Sequence, residues 1–384
     1  MYKRGVAGWV ASSLIWAALP GAAAPQKEYN EMTLEELLQL DVTSVSKTEE
    51  RRFDDVSPFD ADAHNGNLLT RWSRQTGRGR VSAQLYYDHS ERNEKVGGEH
   101  RNTVDLELQQ DLSLAGRHDV SLGLGARSIR NQFFPVFAVN WDPVRHNDEL
   151  YVLFAQDRIR FRGGKTQLFV GSKLEYTDRG GYEAQPSIRL TQKTGERQVL
   201  WAAVSRAVRT PSRVNYDLRS IAAVLPTPGL PTFVVASGNH NIDSEKLIAA
   251  ELGYRFQPTR SSLVDVALFH HDYKDLIQNA SAGPPFPVFS PPPAHVVVPL
   301  VAVNQATAES YGVEIATDVD VTSSWRIAAN YSYLHLRTGN TKDNGILTLP
   351  LNNPQQQVKV LSRHDLPGNV ELSTSGSNGW TSGR

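Results

Sequence analysis

The chain has 384 residues, with 40 Lys and Arg against 41 Asp and Glu, and no cysteine. Nearly balanced charge supplies no global basic field for nucleic acid and no acidic tail. The lack of thiols excludes disulfide staples, cysteine zinc sites and thiol catalysis, and the length suits either two ordinary domains or one large barrel.

In chain order, residues 1–23 read as an export signal. Lys3 and Arg4 form a positive n-region, Val6 to Leu19 an apolar h-region, and Gly21-Ala-Ala-Ala24 a small-residue cleavage region. Pro25 would follow a cut after Ala24, so Ala22 or Ala23 is the expected cleavage point. The apolar run falls short of the about 20 residues a spanning helix requires. Residues 24–66 read as a periplasmic segment and linker. Thr33 and Glu36 form a capping box, and Leu34, Leu37 and Leu38 share one face of a short helix. Asp41 to Lys47 reads as an extended polar segment. Thr48 to Ala63 is charged and carries no periodicity.

From about Asn67 the pattern changes to strict alternation. Val104, Leu106 and Leu108 point one way; Asp105, Glu107 and Gln109 point the other. The same two-faced pattern recurs in 81–88, 120–127, 167–177, 247–256, 311–321 and 325–333. A soluble sandwich would bury those carboxylates and bases unpaired, at high cost; a water-filled lumen removes the cost. The alternation therefore predicts an all-β fold, a transmembrane antiparallel β-barrel of about 14 strands over residues 67–384. Its lumen would be lined by Asp105, Glu107, Lys173, Glu175, Glu314 and Arg326. Tyr176, Tyr254, Trp325 and Tyr333 fall near strand ends, where interfacial girdles belong. Tight turns are expected at 115–118, 162–165, 193–196, 257–260 and 321–324. Long loops are expected at 131–148, 207–245, 275–309 and 337–354. Short turns on one rim and long loops on the other match periplasmic and extracellular ends.

Several segments carry a family resemblance. Leu34-Glu-Glu-Leu-Leu-Gln-Leu-Asp-Val-Thr-Ser-Val-Ser-Lys47 resembles the start of mature TonB-dependent outer-membrane receptors. Leu200-Trp-Ala-Ala-Val204 with Ser205-Arg-Ala-Val-Arg-Thr-Pro-Ser-Arg213 is similar to a strand and loop of that family's barrel. Asn241-Ile-Asp-Ser-Glu-Lys-Leu247, Glu251-Leu-Gly-Tyr254 and Glu309-Ser-Tyr-Gly-Val-Glu-Ile315 are similar to its later strands. The resemblance implies an outer-membrane location, a TonB complex as partner, and uptake of a scarce nutrient such as a ferric siderophore. It also implies a plug inside a barrel of about 22 strands. Here roughly 20 residues separate Lys47 from the first barrel-like strand, whereas a domain needs about 50. The polar segment Ser375 to Arg384 lacks the usual apolar closing strand. The sequence thus reads as a receptor with a deleted plug and a shortened C-terminus, impaired in energised uptake.

The resemblance assigns Asp41, Val42, Thr43, Ser44 and Val45 as a TonB-contact segment that adds a strand to a sheet edge. A plain linker with two valines would look alike. Arg206, Arg209 and Arg213 are candidates for gripping an anionic chelate through forked hydrogen bonds, the alternative being loop anchoring and lipopolysaccharide contact. In His270-His271-Asp272, His270 and Asp272 share a face that His271 cannot. No metal site, cofactor site or catalytic residue is expected, and no hydrolase, phosphate-loop or dinucleotide motif occurs. The competing readings are a passive diffusion channel, a barrel hydrolase built on His270 and Asp272, and a non-functional receptor fragment.

Overall fold

The computed structural model describes residues 62–380, apart from 95–96, 115, 226, 228, 291–292, 340–353 and 369. The expected signal, the short helix, the Asp41–Val45 segment and most of the 337–354 loop lie outside the described residues.

Eighteen strands form one sheet. The first nine are β1 (Asp62–Thr76), β2 (Gly79–Glu94), β3 (Gly97–Leu114), β4 (His118–Phe134), β5 (Val139–Trp141), β6 (Arg145–Phe161), β7 (Thr166–Thr177), β8 (Gly181–Gly195) and β9 (Gln198–Arg209). A four-residue helix follows, α1 (Arg213–Tyr216), then β10 (Leu218–Leu225), β11 (Thr232–Ser237) and β12 (Glu245–Phe256). The last six are β13 (Ser262–Ser281), β14 (Phe286–Val288), β15 (His295–Thr322), β16 (Trp325–Gly339), β17 (Gln356–Leu366) and β18 (Val370–Trp380). Four of the eighteen, β5, β10, β11 and β14, lie beyond one rim. The other fourteen pair in succession, each antiparallel to the next. Strand number and topology match the alternation in the sequence. β1 begins at Asp62, slightly ahead of the expected 67, because the polar stretch 62–66 continues the ladder opposite His89 to Asn93 of β2.

The register sorts the side chains into two faces. Leu106 lies opposite Ala126, Leu108 opposite Leu124, and Leu124 opposite Leu153. These residues point outward, and Leu124 is 57% exposed. On the other face Asp105 lies opposite Arg127 and Arg255 opposite Asp265; Asp105 is only 5% exposed. Apolar groups outside and buried ions inside invert the order of a water-soluble domain, and the inversion suits a sheet with lipid on its convex side. Along β6 the outward face runs from Tyr151 through Leu153 and Ala155 to Asp157, which pairs with His118 on the same face, and Ile159. At about 3.4 Å per residue those eight steps cover about 27 Å of strand, or about 20 Å of height at a tilt of about 40°, most of a bilayer's apolar band. Tyr151, Tyr176 and Tyr182 form an aromatic run at one end, with centroids 6.3 and 4.7 Å apart. Trp325 stacks on His364 at the other.

Tight turns close one rim. Gly163 and Gly164 adopt φ of 65° and 88° between β6 and β7, a left-handed path that glycine follows without strain. The opposite rim carries the long excursions, although Asp178 to Gly180 is a short connection there too. The expected 275–309 loop is largely strand: β13 runs to Ser281 and β15 begins at His295. Proline and glycine are concentrated in 283–293, while Val296-Val-Val298 pair in parallel with β11. β10, β11, β14 and the start of β15 thus make a crown beyond the membrane span. Phe233, Val235 and Val297 form its small core, with Ile221 and Val288 against them.

The two ends of the meander have one neighbour each. β1 pairs with β2, β18 pairs with β17, and every described residue of both strands is exposed. Among the described residues no ladder joins β18 to β1. Val370 to Trp380 is a strand, paired along its length with β17. Its outward positions Val370, Leu372 and Trp380 supply just enough apolar alternation for β17 to template it.

Candidate functional site

Two regions combine polar chemistry with order. The first is the inner face of the barrel wall. Arg127 Nε donates to Asp105 Oδ2 at 2.6 Å, and Arg158 and Arg160 both reach Asp119, at 2.8 and 3.2 Å. Lys173 bonds Glu175 at 2.6 Å, Arg255 bonds Asp265 at 2.6 Å, and Arg326 bonds Asp320 at 2.6 Å. The expected lumen residues Asp105, Glu107, Lys173, Glu175, Glu314 and Arg326 all lie on this face. Of these, Asp105, Lys173, Glu175 and Arg326 are laced into ion pairs along the wall. Such a surface tolerates water without presenting a strong field of either sign.

Three inner-face glycines lie under aromatic rings of the next strand: Gly123 under Phe154, Gly253 under Trp201, and Gly312 under Phe269. A Cβ on any of the three would fall inside the ring's contact distance. Periodicity alone hides these pairs, because glycine carries no signal of face; only the register exposes them.

The second region is the outer rim at Arg213, the first residue of α1. Its guanidinium is buried, donating to Asp217 Oδ2 at 2.7 Å and Asn131 Oδ1 at 2.5 Å, and also to the Pro143 carbonyl. It lies 4.9 Å over Phe133 and 5.6 Å from Trp141, which stack on each other at 3.9 Å. His240 reaches the same Asp217 at 3.2 Å and stacks on Tyr216. Burial raises the Tyr216 phenol pKa, with nearby Arg179 opposing. Asp148 pairs with Arg179 and lies 3.4 Å from Asn131. One arginine thus ties together the end of β4, the loop 135–144, α1 and, through Asp217, His240. Pro211-Ser212 ahead of α1 and the i,i+4 spacing of Arg213 and Asp217 are the sequence signals that point to this hub.

The three candidate ligand arginines are not brought together. Arg213 is the buried rim hub. Arg206 bonds Glu183 at 2.7 Å and the Ala184 carbonyl. Arg209 meets the Glu245 carboxylate side-on, its Nη2 at 2.5 Å from Oε1, with its own side chain still 61% exposed. His270 and Asp272 share the outward face as the alternation requires, opposite Tyr311 and Glu309; His270 Nε2 lies 2.7 Å from Glu309 Oε1. His271 faces the other way, against Phe269 and Tyr273.

The match to known proteins follows the same layout. The family model described as TonB dependent receptor-like, beta-barrel matches residues 30–383. The chain belongs to this family. The receptor barrel is 30% identical over 135 residues to the ferric enterobactin receptor PirA of Pseudomonas aeruginosa, covering 34% of this chain and 18% of that protein. It is 29% identical over 115 residues to the iron-regulated outer membrane virulence protein of Vibrio cholerae, covering 29% and 18%. Among solved structures it is similar to the siderophore receptor PirA of Acinetobacter baumannii, with TM-score 0.62, 14% identity, and 83% of this chain on 50% of the other. The iron transporter FrpB of Neisseria meningitidis gives TM-score 0.60 at 13% identity, covering 83% and 51%. The chain spans about half the length of these solved receptors. A receptor barrel of this family resides in the outer membrane, as the lipid-facing pattern requires.

Proposed function

We propose that this chain is an outer-membrane uptake receptor of the TonB-dependent type for a ferric siderophore or a similar scarce chelate, with weakened energy coupling. The observation that carries the reading is the inverted wall, ionic within and apolar without, under a crown of ordered loops. The curated relatives named for ferric enterobactin support the ligand class. Recognition falls to the crown, where Arg209 keeps an open guanidinium edge and Phe137 an exposed ring. Asp41 to Val45 serve as the TonB contact by strand addition. Coupling is weak because residues 48–61 alone separate Lys47 from β1, and a plug domain needs about 50. Without a two-state plug, a pull from TonB has little to bias.

Uptake of an iron–catecholate chelate, measured in cells stripped of their own receptors, tests this. Slow uptake that disappears without TonB, or on deletion of Asp41–Val45, is expected. Uptake indifferent to both overturns the receptor reading in favour of a passive diffusion channel, which the paired, water-compatible lumen also favours. Planar-bilayer recordings read that second possibility directly: an open path conducts ions without any chelate. A chain that reaches the membrane yet neither binds chelate nor conducts is a non-functional fragment.

A further inference from the structure

Among the described residues seven short turns line the periplasmic rim of the wall, and the first five, taken round the sheet, are basic. Arg78 lies between β1 and β2, Arg117 between β3 and β4, Arg162 and Lys165 between β6 and β7, Arg197 between β8 and β9, and Arg260 between β12 and β13. All six are exposed, and none forms an ion pair or a side-chain hydrogen bond with a described residue. The same five turns carry one carboxylate, Glu196. The remaining two turns differ. Ser323-Ser324 and Pro367-Gly368 carry no charge, and the cations beside them are paired, Arg326 with Asp320 and Arg363 with Glu371.

The basic turns follow directly on the apolar band. Phe161, exposed on the lipid side, immediately precedes Arg162; Leu114 lies three residues before Arg117, and Leu200 three after Arg197. Three residues of a strand tilted at about 40° descend about 8 Å. The headgroup layer on each side of the hydrocarbon is about 5–7 Å thick. The cations therefore sit in or just below that layer, where an arginine stem lies back along the apolar wall while its head meets a phosphate. Successive turns stand about 12 Å apart round the rim, two strand spacings at that tilt, beyond the Debye length of about 8 Å. The cations scarcely repel one another, and each can hold its own headgroup. Asp157, an outward carboxylate of β6, is already taken by His118 at 2.7 Å. We propose that the arc of turns from β1 to β13 binds anionic phospholipid headgroups of the periplasmic leaflet, and that the arc from β15 to β18 does not. Lipid is the partner, rather than a wall polymer or an acidic protein, because apolar side chains reach the turns themselves and leave no stalk to carry the charges clear of the bilayer. The inference rests on the membrane placement of the wall and not on what the crown binds.

The absence of native cysteine lets one label report on each arc. Ile159, on the lipid side beside His118, lies three residues before Arg162; Ile327, opposite Val319, lies three after Ser324. The 384-residue chain with Ile159→Cys or Ile327→Cys is labelled with bimane and inserted in phosphatidylcholine vesicles, and only carbonate-resistant protein is measured. Quenching by phosphatidylglycerol bearing a nitroxide on its acyl chain is compared with quenching by the matching phosphatidylcholine. A basic residue at the surface favours an anionic headgroup by up to about fivefold. Phosphatidylglycerol should therefore be the better quencher at 159, by about three- to fivefold, and no better at 327. Adding Arg117→Gln, Arg162→Gln and Lys165→Gln to the Ile159→Cys chain should bring the ratio to about one, as should salt at about 1 M. The salt arm reads the native rim, so it stands even where the triple variant fails to insert. Equal quenching by the two lipids at 159, or an equal preference at both positions, overturns the proposal. So does a preference at 159 that survives salt. Should that preference be missing while isolated peptidoglycan retains the folded protein through these six residues, the arc belongs to the cell wall instead. Chelate uptake plays no part in the readout, so failure here is separate from failure of the receptor reading.

Discussion

Leu124 and Gly125 are neighbours with opposite surroundings. Leu124 meets lipid in mid-strand, and a Cβ at Gly125 would meet Val152 at 3.5 Å and the Leu106 carbonyl at 3.9 Å, both ordinary contacts. Leu124→Arg should therefore cost about 2–4 kcal/mol of folding stability in the bilayer, and Gly125→Ser less than about 1 kcal/mol. Urea titration in vesicles checks both; equal effects would contradict the assignment of faces. At the rim, Arg213→Ala leaves Asp217 buried with His240 as its remaining ion-pair partner, a loss of about 3 kcal/mol within the crown. Limited proteolysis should then cut within 131–148 and 210–217 while the membrane wall stays intact. An unchanged digestion pattern would show that the hub does not hold the loops. Sequence alone separates the faces at most strand positions, where an apolar or a charged side chain declares its side; glycines such as Gly123 and Gly253 do not. It cannot separate a ligand arginine from a loop anchor, because the difference lies in partners such as Asn131 and Phe133, about 80 residues away in the chain.

At the scale of strands, alternation located nearly the whole wall because period two is written into every crossing. It failed where polarity or proline overrode it. Val370–Trp380 is a strand with few apolar residues, and 275–309 is strand at both ends with proline-rich residues between. The ring-over-glycine pairs are also elements of the wall. Gly253→Ala drives a methyl group into Trp201 and should cost about 1–3 kcal/mol; Trp201→Ala in the same chain should recover part of that loss. A double-mutant cycle by urea unfolding measures the coupling, and strict additivity would mean that ring and glycine do not interact.

For the whole molecule, the family barrel and its lipid setting follow from the sequence; the cargo does not, because crown chemistry is built from contacts between loops distant in the chain. β15 joins these scales. It is a single strand of 28 residues, from His295 beside the crown core residue Val297 to Thr322 at the periplasmic turn. Its partner β13 breaks register between Tyr273 and Leu276, where Asp275 takes a φ of 56°. β15 yields at the same level, where Ala306 and Asn304 meet the consecutive Leu276 and Ile277, so the joint crosses both strands of the ribbon. Anything that lands on the crown and tilts β15 acts as a load on a cantilever, with its pivot beside that joint and its root in the far leaflet.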